Sequence, residues 1–137
     1  MVLSIDQQTA ATFYKFGEDT LLEAGGQFHH QQEISIGSGV TILAHYWLNI
    51  IISGSGHLPK IIIGDGCKCD HGFIVSALNR IELERNVSIG PHMYISDTDH
   101  EYQNVGKPVT AQWLSNTSGE VVYRAINPSC VILLERV

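Results

Sequence analysis

Apolar residues recur along this chain every six positions, a spacing that neither a helix (3.6) nor a half-buried strand (2) produces. Ile36, Ile42 and Leu48 keep the beat, as do Ile63, Cys69 and Val75, and again Leu83, Ile89 and Ile95. Four residues after several anchors sits a second small or apolar side chain: Val40, Cys67, Phe73, Val87 and Met93. Glycine follows Ile36, Ile63 and Ile89, so the hexads read "IGSGVT", "IGDGCK" and "IGPHMY". Such a unit suits a short strand and a tight turn, three to a coil of about 18 residues. Coils of this kind stack about 4.7–4.9 Å apart. The two inward side chains of each hexad form the core, and glycine supplies a φ > 0 corner. The pattern predicts an all-β solenoid, a parallel β-helix, with coils over residues 34–95.

Breaks in the beat predict what hangs from the coils. "NIIISGSGHLPKII" (49–62) reads as a loop bulging from a corner. The step from Val75 to Leu83 is eight, which places about two extra residues near "ALNR" (77–80). Residues 1–33 show no hexads and read as a cap, a strand or short helix shielding the open end of the first coil. After Ile95 the beat stops at "MYISDTDHEY" (93–102), predicting a loop over 96–118, and 119–137 reads as a final partial coil. Ile50, Ile51, Ile61 and Ile62 fall beyond the core pattern. They are expected on outward faces, as an apolar patch that marks an interface.

Composition narrows the function. A chain of 137 residues with 44% hydrophobic and 16% charged residues is one globular domain. A net charge of −6, with eight scattered Lys and Arg, gives no footprint for nucleic acid. The longest apolar run, "WLNIII" (47–52), is too short for a membrane span, and the opening residues lack a signal-peptide pattern. Three cysteines suit reduced thiols in a cytoplasm, and Cys67 and Cys69 fall at inward positions, as core residues rather than metal ligands. The expectation is a cytoplasmic protein without nucleic-acid or membrane partners.

The loop after Ile95 holds the candidate chemistry, because His100 stands among Asp97, Asp99 and Glu101. Histidine accepts a proton near neutral pH, and a carboxylate that holds one ring nitrogen aims the other at a substrate. Asp97 and Asp99 are the local orienting candidates. Loop composition by itself favours a solvated histidine in an acidic turn.

The stretches "FYKFGEDTLLEAGG", "ISIGSGVTI" and "KIIIGDGCKCDHGFIVSALNRIELERNVSIGPHMYISDTDHEY" carry a resemblance over residues 13–120. The chain resembles the hexapeptide-repeat ("isoleucine patch") acyltransferases, especially the sugar O-acetyltransferase branch. The resemblance implies a left-handed parallel β-helix, a homotrimer, acetyl-CoA as co-substrate and a saccharide acceptor. It makes His100 the catalytic base and puts the acceptor-contacting polar residue on Asp70, beside which His71 joins the acceptor side. A second acidic position of that group falls near Leu78, where Asn79 is the polar neighbour. No metal is implied.

Two other readings stay open. The stretch 119–137 loses the glycine after each anchor where that group continues with coenzyme-binding coils. This suggests a truncated, non-catalytic β-helix. The same fold also hosts zinc enzymes of the γ-carbonic-anhydrase kind, whose histidine spacing His71, His92 and His100 do not match.

Overall fold

A computed structural model describes residues 4–54, 56, 58–100, 114–115, 120–125 and 132–136, with side chains through 98 and at 122–123. A single-turn helix, α1 (Gln7–Ala10), opens it, and the Asp6 carboxylate caps it by accepting from Thr9 N at 2.7 Å. Short strands then visit three sheets in a fixed order. The first pass is β1 (Lys15–Phe16), β2 (Leu21–Leu22) and β3 (Gln27–Phe28), and the second is β4 (Ile34–Ile36), β5 (Thr41–Ile42) and β6 (Trp47–Ile50). The third is β7 (Ile61–Ile63), β8 (Lys68–Cys69) and β9 (Ile74–Ala77). The fourth is β10 (Arg80–Leu83), β11 (Ser88–Ile89) and β12 (Tyr94–Ser96). Each strand pairs in parallel with its counterparts in neighbouring passes, as β1-β4-β7-β10, β2-β5-β8-β11 and β3-β6-β9-β12. The protein is therefore mostly β, built of parallel sheets with almost no helix, an arrangement compatible with a parallel β-helix. Among the described residues no helix is long and apolar enough to cross a membrane.

The register revises the expected coil in two ways. Lys15 pairs with Ser35, Ser35 with Ile62 and Ile62 with Glu82. One pass thus takes twenty residues, or twenty-seven where the 51–60 loop intervenes, instead of eighteen. The step of eight from Val75 to Leu83 is no local insertion, since Phe28 to Ile36 takes the same step at the same corner. Further, residues 15–28 belong to the sheets, so the cap shrinks to the chain before β1. Phe16, Leu22 and Phe28 are themselves six apart, and their aromatic anchors hid the beat. Phenyl rings close the end of the stack, with Phe13 centred 5.4 Å from Phe16 and 5.1 Å from Phe28.

All nine aliphatic and cysteine anchors are buried, in columns such as Ile36–Ile63–Leu83 and Leu22–Ile42–Cys69–Ile89. Cys67 and Cys69 lie in the core. Burial pushes the Cys67 thiol up to about 11, and its S–H donates to the Glu84 carbonyl at 3.0 Å. Ile50 and Ile61 are buried too, which corrects their expected outward placement; Ile51 and Ile62 are half-buried. Ile50 and Ile61 bracket the 51–60 loop, and both enter the core where β6 extends and β7 begins. Met93 departs the other way and is exposed, because β12 is the edge of its sheet among the described residues.

The last segment also differs from expectation. β13 (Asp99–His100) and β14 (Leu114–Ser115) pair antiparallel at the two ends of the expected loop. β15 (Glu120–Ala125) rejoins the first sheet parallel to β10, but β16 (Ile132–Arg136) turns back antiparallel on β15 instead of running on as a coil strand.

Candidate active site

Corners decide where this chain can carry a site. Between the first and second sheets the stacked residues Asp19, Gly39, Gly66 and Asn86 all have positive φ, and between the second and third sheets so do Gly25, His45, Gly72 and His92. At these two corners every described connection is a four-residue turn through the left-handed region. Connection length varies only at the third corner, between the third sheet and the first: residues 29–33, 51–60 and 78–79, and it is from this corner that the chain leaves β12 toward β13.

Buried polar groups hold that corner. The Glu33 carboxylate, 2% exposed, accepts from Gly54 N at 3.1 Å and from the Ser53 hydroxyl. The Lys60 ammonium, 1% exposed, lies 3.3 Å from Glu33 Oε1 and donates to the Ile52 carbonyl. Burial works to raise the Glu33 carboxyl, but the Ser53, Gly54 and Lys60 contacts outweigh it and hold the group below the usual glutamate value. Three passes beyond Glu33, Asp97 is fully buried. Its Oδ1 accepts from Leu78 N at 2.8 Å, and its Oδ2 accepts from Asn79 N at 2.8 Å and Arg80 N at 2.7 Å.

The expected site residues fall on two corners. His100 and Asp99 stand on β13, at the root of the excursion, while their side chains and residues 101–113 lie outside the described residues. Asp97, expected as an orienter of the His100 ring, spends both oxygens on the backbone of 78–80; contact between the two side chains lies outside the described residues. Asn79 sits in this same corner and gives its N–H to Asp97. Asp70 and His71 lie at the opposite end of β9, on the order of 10 Å of extended chain away. There Asp70 Oδ1 accepts from His71 N at 2.7 Å and lies 3.1 Å from His71 Nδ1, with both side chains half exposed. The His71 N–H is the main reason the Asp70 carboxyl lies below the usual aspartate value. Within one chain, then, Asp70 and His71 come together, as do Asn79 and Asp97, but the two pairs stay apart.

A groove that sequence reasoning missed runs beside the His100 root. Its volume is about 490 Å³, and Trp47, Ile74, Tyr94, Asn49 and Thr98 line it, Thr98 being two residues before His100. Asn49 Nδ2 donates to Ser76 Oγ at 2.8 Å across its floor. Its row is set by the register between passes, twenty-seven residues from Trp47 to Ile74 and twenty from Ile74 to Tyr94, and not by the hexad spacing. Among the described residues no group of three His, Cys, Asp or Glu is placed to hold a metal. No family model, curated protein or solved structure matches the chain.

Proposed function

We propose that the chain is an acetyl-CoA-dependent O-acetyltransferase acting on a saccharide hydroxyl. It works as a cytoplasmic homotrimer built on a left-handed parallel β-helix of hexapeptide repeats. One observation carries the reading: the stretch "NVSIGPHMYISDTDHEY", in which the hexad beat ends and His100 follows at once, on β13. His100 takes the proton of the acceptor hydroxyl as its oxygen attacks the thioester carbonyl. The tetrahedral oxyanion is met by a backbone N–H, the carbon–sulfur bond breaks, and the departing thiolate recovers the proton from the imidazolium. Asp99 holds the second ring nitrogen. Asp70 and His71 of one copy supply acceptor contacts facing the His100 loop of another, with Asn79 at the corner below.

The test is His100→Ala assayed with acetyl-CoA and a saccharide panel. General-base loss lowers kcat by about 10²–10⁴-fold while the β circular dichroism stays unchanged. Wild-type rate rises with pH through a limb near the histidine value of about 6.5. Full activity in His100→Ala overturns the assignment. The antiparallel return of β16 on β15 favours one competing reading, a non-catalytic β-helix, because this strand does not extend the parallel stack. Absence of acetyl-CoA binding by the wild type decides for it.

A further inference from the structure

We infer that Asp97 is the positioning residue of this site: it fixes the direction in which β13, and with it His100, leaves the coil. The inference rests on His100 being the base. β12 is held in register with β9, Ser96 opposite Ser76, and β13 begins at Asp99. Only Asp97 and Thr98 lie between, and both are tied down. Thr98 N donates to Ser96 Oγ at 3.2 Å, and Asp97 accepts three consecutive backbone N–H groups from the pass beneath, Leu78 through Arg80. Rotation about these two residues would swing β13 against β14, so the carboxylate sits at the hinge.

The corner repeats the device. Glu33, one pass below the 51–60 loop, accepts from the Ser53 hydroxyl and from Gly54 N and pairs with Lys60, so each of these connections is held by a buried carboxylate from an adjacent pass. The arrangement needs a carboxylate. An ionised Asp is acceptor-only and can meet three N–H groups, whereas the isosteric amide of Asn offers one acceptor oxygen and turns donors toward donors. Catalytic groups tolerate little displacement, and a shift of about 1 Å is enough to cost roughly 10²-fold in rate.

Asp97→Asn in the full chain tests this by amide hydrogen exchange and kinetics together. The expected result is that the amides of 78–80 and of the β13–β14 pairing lose protection together, while Trp47 and Ile74, bonded to Phe73 O and Met93 O, keep theirs. With that, kcat falls about 10²-fold, KM for acetyl-CoA is unchanged, and the acid limb of the pH profile stays in place, since the ring is displaced rather than retitrated. Loosened corner amides with β13–β14 still protected, or with unchanged kcat, overturn the inference. Should the variant unfold, native-state exchange on the wild type decides: a shared opening energy for corner and hairpin supports it, and separate opening energies overturn it. A wild type without transferase activity would sink the reading of His100 and not the anchoring, which exchange settles by itself.

Discussion

At the scale of single residues, the third corner is held by ionic groups that belong to no catalytic motif. Glu33 and Lys60 are both almost wholly buried, and a charge in that position is tolerated only because its partners are fixed. The carboxyl of Glu33 is depressed in the folded protein, so its contribution is present above the unfolded value of about 4.3 and is lost as pH falls through the lower folded value. Glu33→Gln, which strands the buried ammonium, is expected to cost about 3–5 kcal/mol at neutral pH. Urea unfolding at fixed protein concentration should show the gap between wild type and variant narrowing below about pH 4.3. An equal gap at pH 3 and pH 7 would assign Glu33 a purely steric role.

At the scale of elements, Gly37 and Gly64, which follow isoleucine anchors, have a different purpose from the one their hexads suggest. Gly37 does not sit at positive φ. A Cβ there would meet Asp65, with its Oδ1 at 2.3 Å and its backbone N at 2.8 Å, because successive passes touch at that point. The left-handed turn falls two residues later, at Gly39, where φ is 66° and nothing lies within 4 Å of a Cβ. Asn86 occupies the same column with φ of 61°, so side chains that tolerate the left-handed region fit it. Gly39→Asn should therefore change stability by no more than about 0.5 kcal/mol, whereas Gly37→Ala should cost about 1–3 kcal/mol by overpacking. Reversed urea midpoints would mean the tight contact lies at the other glycine. The inward anchors were legible because burial in a stacked coil imposes one apolar side chain per strand. What the pattern hid was set across passes: the twenty-residue register, the ring-closed end at Phe13, Phe16 and Phe28, and the antiparallel β16. Of the site, the place of His100 at the end of the beat was legible. The three N–H groups on Asp97 were not, since no local spacing relates residue 97 to residues 78–80.

At the scale of the whole molecule, the two halves of the candidate site lie at opposite ends of β9, and one chain does not join them. The homotrimer proposed above would do so across copies. The outer face of the third sheet offers a surface for it: Trp47 is 41% exposed and Tyr94 65%, with Ile74 in register between them and Ile52 exposed on the adjoining loop. An uncharged row of this kind on a chain of net charge −6 would let copies meet without setting their acidic groups against one another. Sedimentation is expected to give about three times the 15.1 kDa chain mass, and Trp47→Lys should shift it toward the monomer. If each site is shared, two damaged copies can repair one another. His100→Ala and Asp70→Ala chains, unfolded together and refolded, should regain transfer at low acceptor concentration, because some interfaces then pair an intact Asp70 with an intact His100. A stable monomer that transfers acetyl groups, or mixed chains no more active than the separate variants, would mean that the groups needed for transfer are supplied within one chain.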